Sequence, residues 1–136
     1  MKILVPVDGS KYALKAAKKA AVLAKAFGAS VIIISVAPDI GLWELGYDVK
    51  EKLERQAHKS VEEAKSFVKE QGIDDVKGII LSGIPVAEGI LKTAQEEKID
   101  IITIGSRGLT GLTKFMLGSV AQKVVTHATC SVFVVK

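Results

Sequence analysis

The sequence predicts an α/β fold, namely an open five-stranded parallel sheet with helices on both faces. Five short apolar runs rich in valine and isoleucine alternate with longer segments in which apolar residues recur every three or four positions. Such runs are typical of strands buried on both faces, which occur in parallel sheets covered by helices. Regular alternation of strands and helices favours consecutive right-handed crossovers. The 136 residues fit a single domain spanning residues 1–136.

Each apolar run is predicted to form one strand, and the strands are expected at residues 2–7, 30–36, 76–81, 100–104 and 131–135. The first helix should start near Ser10, a residue type that caps helix N-termini, and end at Gly28, which suits a C-cap. Gly83 and Pro85 are expected to shape the turn from the third strand into the next helix. The helix before that strand has an inward-facing stripe, formed by Leu53, Ala57, Val61, Ala64 and Val68.

Composition and charge exclude several classes of protein. Cys130 is the only cysteine, so no internal disulfide can form and a reducing compartment is favoured. The apolar run at the N-terminus is too short for a signal peptide, and none approaches the roughly 20 residues that span a bilayer, so a cytoplasmic protein without a membrane segment is expected. The net charge of +4 suits an anionic ligand. Nucleic acid is not an expected partner, because no aromatic platform accompanies the lysines of the first helix, namely Lys11, Lys15, Lys18 and Lys25.

The segment from Gly105 to Ser119 is the strongest candidate for a binding site. It follows the fourth predicted strand, precedes a helical stretch and contains four glycines before Ser119. Glycines let the backbone turn and approach a bulky anion, while successive amide groups and a helix N-terminus supply partial positive charge. The spacing fits neither the P-loop nor the G-x-G-x-x-G fingerprint. Because ligands bind at the carboxyl ends of open parallel sheets, the segment predicts a phosphate cradle.

Three side chains near this segment have alternative interpretations. Ser119 can cap the helix that it begins and donate its hydroxyl to a phosphate. Arg107 can pair with a phosphate or point to solvent. Asp8, at the end of the first strand, can accept from a ligand hydroxyl or base, hold a divalent ion, or stabilise the first helix as a turn residue.

The spacing Gly105-x2-Gly108-x9-Gly118-Ser119 resembles the nucleotide-binding pattern of universal stress proteins. The likeness covers essentially the whole chain: Ile3–Ser10 resembles the first strand and turn of that family, Val31–Val36 the second strand, and Cys130–Val135 the closing strand. It implies a Rossmann-like sheet of the adenine nucleotide alpha hydrolase type that holds ATP, with Mg²⁺ or Mn²⁺. The resemblance implicates Pro6, Val7, Asp8 and Val36 around the nucleoside. Around ribose and phosphates it implicates Gly105, Ser106, Arg107, Gly108, Leu109, Thr110, Gly111, Gly118, Ser119 and Val120.

Three functions remain open at this point. A binding module would hold ATP and report stress or energy state to a protein partner that the sequence does not identify. A slow ATPase would transfer the phosphoryl group to water, with Arg107, a metal and Asp8 as the only candidates for catalysis and no obvious catalytic base. A self-phosphorylating protein would use Ser106 or Ser119 as acceptor. A sensor of the same fold would bind AMP or a cyclic dinucleotide.

The remaining predictions concern the closing strand and a few reactive or aromatic residues. The closing strand is an edge strand by its place in the chain, and the resemblance implies a homodimer through it, which would cover an aggregation-prone edge. Cys130 is interpreted as a small buried strand residue whose thiol pKa is raised. Trp43 and Tyr47 are expected in an irregular loop, where they can cover a base or pack on a partner. No catalytic role is assigned to the two histidines, His58 and His127.

Overall fold

The computed structural model of the chain describes residues 1–38, 46–109 and 116–136. The strands are β1 (Lys2–Pro6), β2 (Ser30–Ala37), β3 (Val76–Ser82), β4 (Ile101–Gly105) and β5 (Ser131–Val135). They alternate with helices α1 (Lys11–Phe27), α2 (Tyr47–Glu70), α3 (Val86–Glu96) and α4 (Ser119–His127). The predicted fold class is confirmed, and the strand boundaries differ from the prediction by at most one residue.

All neighbouring strands are parallel, in the order β3-β2-β1-β4-β5. The chain builds the sheet outward from β1 to β3, then returns past β1 to form β4 and β5. The order therefore reverses between β1 and β4, where open α/β sheets bind ligands. β5 lies at an edge, as its place in the chain predicts.

Helices cover both faces of the sheet. Ile3 and Val5 of β1 pack on the side of α1 and α2, whereas Leu4 between them packs on the side of α3 and α4. The buried face of α1 consists of alanines, which lets this helix approach the sheet closely, namely Ala13, Ala16, Ala17, Ala20, Ala21 and Ala24.

The predicted helix boundaries are confirmed where the structure describes them. The Ser10 hydroxyl accepts a hydrogen bond from the Ala13 amide at 3.2 Å, which caps α1. Gly28 ends that helix with φ of 63°, a left-handed conformation that costs glycine little. Gly83 has φ of 74°, and Pro85 is the N-cap of α3.

The predictions for Tyr47 and Cys130 are wrong. Tyr47 is the first residue of α2, not a loop residue, and its side chain is 78% exposed. The helix begins there because Gly46 takes a positive φ just before it and the acidic Asp48 favours a helix N-terminus. Cys130 lies just before β5 and is half-buried, not buried within the strand. Burial nevertheless raises the pKa of the Cys130 thiol, as predicted. Trp43, which was predicted to lie in the same loop as Tyr47, is outside the described residues.

The stripe predicted on α2 is buried from Ala57 to Val68, but Leu53 is only half-buried. His58 and His127 are exposed. Among the helices that the structure describes, none has the length and apolar character needed to cross a membrane.

Candidate functional site

A cavity of about 580 Å³ lies at the carboxyl ends of β1, β2 and β4. Its walls come from the sheet, from α2 and α3, and from the beginning of α4. This volume is within the range of about 300–1,000 Å³ that is typical of small-molecule sites. The cavity therefore lies where the strand order reverses, and it is large enough for a nucleotide-sized ligand.

Most of the residues proposed from the sequence line this cavity. The structure brings together Pro6, Val7, Asp8, Val36, Gly105, Arg107, Gly108, Leu109, Gly118, Ser119 and Val120. Ser106 is not part of the lining: it is buried, and its amide donates to the Val135 carbonyl at 2.7 Å. Thr110 and Gly111 lie outside the described residues.

The N-terminus of α4 forms one wall of the cavity. Gly118 is its N-cap, with extended φ and ψ of −58° and 150°. The interpretation of Ser119 as the cap is therefore wrong, because Ser119 is already the first helical residue. The amide of Gly118 donates to the Ser106 carbonyl at 2.8 Å, which joins the two ends of the glycine-rich segment.

A glycine at the N-cap leaves the first amides of α4 without a side-chain acceptor from that position. The first amide groups of any helix have no partner within the helix. In α4 they belong to Ser119, Val120 and Ala121, all of which line the cavity. Together with the helix dipole, these groups form a site suited to an anion.

Asp8 links the turn after β1 to the glycine-rich segment. Its Oδ1 accepts from the Ser10 amide at 2.9 Å, so the interpretation of Asp8 as a turn residue is confirmed. A Cβ at Gly108 would lie only 2.8 Å from Oδ2 of the same carboxylate. A side chain at position 108 would therefore displace the Asp8 carboxylate, so glycine there lets Asp8 approach the segment closely. Backbone freedom is not the reason, since Gly105, Gly108 and Gly118 all lack a positive φ.

Arg107 is held against Tyr12 of α1. Its Nη1 donates to the Tyr12 hydroxyl at 3.2 Å, and its guanidinium carbon lies 5.5 Å from the centre of the ring. The hydrogen bond from Arg107 lowers the pKa of the Tyr12 phenol. A Cβ at Gly105 would lie 2.9 Å from the Tyr12 carbonyl group, so glycine there lets the start of α1 lie directly over the end of β4.

The opposite end of the cavity is mainly apolar. Val36 lies there on β2, and the side chains of Leu53 and Ala57 face it from α2. Leu53 is half-buried because it lines this space instead of packing on the sheet. Such a surface suits the flat faces of a purine base.

Many lining residues have no counterpart in the sequence predictions. The apolar stripe on α2 was the one available signal, since its first members extend into the cavity. The additional lining residues are Ala13, Ile34, Ser35, Ala37, Pro38, Leu53, Gln56, Ala57, Ser60, Val86, Ile90, Ile104, Met116, Leu117, Ala121 and Gln122.

Few of the described residues that line the cavity carry a charge. Within the described part of the chain, Asp8 and Arg107 are the only ionisable side chains that line it. Among the described residues, no group of three or more histidine, cysteine, aspartate or glutamate side chains is placed to hold a metal ion. A single carboxylate fits a magnesium or manganese ion only if ligand phosphates supply further oxygens, which is how Mg²⁺ is usually bound beside nucleotides.

Comparison with known proteins identifies the family. The model of the universal stress protein family matches residues 1–136. The chain belongs to the universal stress protein family. Universal stress protein MJ0531 of Methanocaldococcus jannaschii is 38% identical over 143 residues, covering 99% of this chain and 81% of that protein.

Solved structures of universal stress proteins have the same fold. UspA from Lactobacillus plantarum superposes with a TM-score of 0.88 at 28% identity, covering 100% of this chain and 97% of that one. A universal stress protein from Archaeoglobus fulgidus in complex with dAMP has a TM-score of 0.78 at 26% identity, with 100% and 98% coverage. A universal stress protein in complex with cAMP has a TM-score of 0.74 at 25% identity, with 99% and 95% coverage.

Proposed function

We propose that this universal stress protein binds an adenine nucleotide, ATP in particular, and acts as a nucleotide-dependent module in stress response or signalling. The observation that carries the proposal is a cavity at the reversal of strand order. One end of it has a helix N-terminus whose N-cap is glycine, and the other end has apolar walls. This arrangement matches the two chemically different halves of a nucleotide. Related structures with dAMP and cAMP support the adenine nucleotide class.

The phosphates are assigned to the beginning of α4 and to the glycine-rich segment. The amides of Ser119, Val120 and Ala121 can donate to phosphate oxygens, and Arg107 offers a guanidinium at the same wall. Thr110 and Gly111 belong to the same proposal on the family motif alone. The base and ribose are assigned to the space near Pro6, Val7 and Val36, with α2 opposite.

The proposed metal is Mg²⁺ or Mn²⁺ carried by the phosphates. Oδ1 of Asp8 already accepts from the Ser10 amide, so this carboxylate would contribute mainly through Oδ2. The metal would neutralise phosphate charge in a cavity with a single cationic side chain among the described residues.

A monophosphate or cyclic nucleotide sensor is a second candidate. The two related complexes contain ligands with a single phosphate, dAMP and cAMP. A site that contacts one phosphate alone would bind AMP as tightly as ATP. Titrations with both nucleotides under the same conditions separate the two candidates.

Hydrolysis or self-phosphorylation has weaker support from the site. Ser106 is buried outside the cavity lining, whereas Ser119 is exposed and lines it. Ser119 is therefore the better placed acceptor of the two. Accumulation of ADP with the wild-type protein but not with Asp8→Ala would favour the enzyme over the binding module.

A homodimer through β5 and a cytoplasmic location are parts of the same proposal. β5 is an edge strand, and its Phe133 is 43% exposed. Light scattering should give twice the mass of the 14.5 kDa chain, and Phe133→Lys should give the monomer. Val22→Lys, at a 64% exposed position of α1, is the matched control and should stay dimeric. A monomeric wild type would contradict the dimer.

The binding proposal is tested by unfolding protein purified without added nucleotide and identifying the released small molecules by mass spectrometry. An adenine nucleotide is the expected result, followed by saturable ATP binding once the protein has been refolded without ligand. If no nucleotide is released and no saturable binding is seen at millimolar ATP, the proposed ligand is wrong. The family membership does not depend on this result.

A further inference from the structure

Three cationic side chains gather around one aromatic ring beside the cavity. The ammonium nitrogens of Lys11 and Lys15 lie 5.3 and 5.6 Å from the centre of the Tyr12 ring. The guanidinium carbon of Arg107 lies 5.5 Å from the same point. Arg107 also lines the cavity, as does Ala13, the residue after Tyr12. The cluster of Lys11, Tyr12, Lys15 and Arg107, here called the Tyr12 cluster, therefore adjoins the phosphate end of the cavity.

The Tyr12 cluster concentrates three positive charges beside the N-terminus of α1. Lys11 is the first residue of α1, and the first turn of this helix contains no acidic residue. Positive charge at a helix N-terminus opposes the helix dipole. Among the described residues, the ion pairs all lie elsewhere, and none involves Lys11, Lys15 or Arg107. The carboxylate of Asp8 lies near this helix terminus, where it accepts from the Ser10 amide, but it forms no ion pair with the three cations. Three cations beside one carboxylate leave a net positive charge, which a bound anion would stabilise.

The hydroxyl of Tyr12 fixes the position of Arg107 within this cluster. It accepts from Nη1 at 3.2 Å, and the guanidinium carbon lies 5.5 Å from the centre of the ring. The hydrogen bond to Tyr12 uses one N–H group of the guanidinium, so the remaining N–H groups can donate to an anion. Tyr12 itself does not line the cavity in the described structure, so it acts through Arg107.

We propose that the Tyr12 cluster is a subsite for the terminal phosphates of a nucleoside polyphosphate, in which Tyr12 is a positioning residue for Arg107. The inference rests on the proposed function, because the α- and β-phosphates must be held by the glycine-rich segment and α4 for the terminal phosphate to reach the cluster. It makes a nucleoside triphosphate, and not a monophosphate, the preferred ligand. Lys11 and Lys15 supply charge, and Arg107 supplies directed hydrogen bonds.

The first test compares affinities for ATP and AMP by calorimetry. Lys11→Gln/Lys15→Gln should lower the ATP affinity by about 3- to 10-fold, the size expected for two exposed charge pairs, and leave the AMP affinity unchanged. Tyr12→Phe keeps the ring but removes the acceptor for Arg107, and should lower the ratio of ATP to AMP affinity by about 3-fold. Lys19→Gln/Lys25→Gln removes the same charge from exposed positions of α1 and should change neither affinity. An unchanged ratio in the first two variants overturns the subsite.

The second test needs no nucleotide and uses inorganic tripolyphosphate as the probe. The chain has two tyrosines, so in Tyr47→Phe the absorbance at alkaline pH reports Tyr12 alone. An anion bound beside Tyr12 disfavours the phenolate, so tripolyphosphate should raise the Tyr12 pKa, and Lys11→Gln/Lys15→Gln should reduce that rise.

The two tests separate failure of the subsite from failure of the proposed function. ATP and AMP binding with the same ratio in all variants retains the function and removes the subsite. If neither nucleotide binds the wild type, the function fails. In that case the second test decides whether the Tyr12 cluster is an anion site. A rise of the Tyr12 pKa with tripolyphosphate that depends on Lys11 and Lys15 supports it, and no such rise contradicts it.

Discussion

Ser119 offers a way to disturb the proposed phosphate site without weakening the fold. It is the first residue of α4, is exposed and lines the cavity. A negative charge at this place stabilises a helix through its dipole, by about 0.3–1 kcal/mol. The same charge repels a phosphate bound to the neighbouring amides. Ser119→Glu should therefore lower nucleotide affinity and at the same time leave the thermal stability unchanged or raise it.

The size of the loss follows from the exposure of the site. Two unit charges 4 Å apart interact by about 1 kcal/mol in bulk water and about 4 kcal/mol at an effective dielectric constant near 20. Because Ser119 is exposed, the lower part of this range applies, about 1.4–2 kcal/mol. That energy corresponds to a loss of about 10- to 30-fold in ATP affinity. The helix dipole should raise Tm by about 1–4 °C.

Calorimetry with ATP and thermal unfolding without ligand measure the two effects separately. Ser119→Gln is the matched control, since it has nearly the same shape without the charge, and should lose less than about 3-fold in affinity. Equal ATP affinity in Ser119→Glu and Ser119→Gln would refute the placement of phosphate at the beginning of α4. A folded Ser119→Glu that binds no ATP supports the placement.

Three further predictions concern the metal, the packing under α1 and the thiol. Asp8→Asn keeps an oxygen for the Ser10 amide, so the protein should fold, but the gain in ATP affinity on adding Mg²⁺ should disappear in calorimetry. Gly105→Ala should lower the free energy of unfolding, measured in urea, by about 1–3 kcal/mol, because its Cβ would lie 2.9 Å from the Tyr12 carbonyl group. A loss below about 0.5 kcal/mol is typical of exposed surface positions and would contradict this packing. Burial raises the Cys130 pKa, so the native protein should react with iodoacetamide more slowly than the unfolded chain near pH 8. Because the unfolded chain loses the thiol proton first, the free energy of unfolding should fall as the pH rises above about 8.5. Equal alkylation rates would contradict the raised pKa.

The fold could be predicted because its signals are local. The strands are apolar runs interrupted by residues that end them, and Ser10 and Gly28 mark α1 through caps that depend on single residues. The stripe on α2 identified the buried face of that helix, although Leu53 was assigned to the core and in fact lines the cavity. Whether a residue of the stripe packs on the sheet or lines the cavity depends on where the sheet ends relative to α2. The sequence of α2 alone does not give that position.

The site could be predicted only in part because its contacts join distant positions. The glycine spacing identified the right segment, but the reason for each glycine lies elsewhere in the chain: Asp8 for Gly108 and the Tyr12 backbone for Gly105. The pairing of Tyr12 with Arg107 spans 95 positions and leaves no pattern in the sequence. Ser119 was interpreted as a cap because serine favours that position, yet Gly118 occupies it.

A crystal structure of the protein with ATP and Mg²⁺ tests the central claim most directly. The predicted result is phosphate density at the amides of Ser119, Val120 and Ala121, with the base between β2 and α2. A fully occupied ATP bound at any other surface, with this cavity filled by solvent alone, would contradict the assignment of the site.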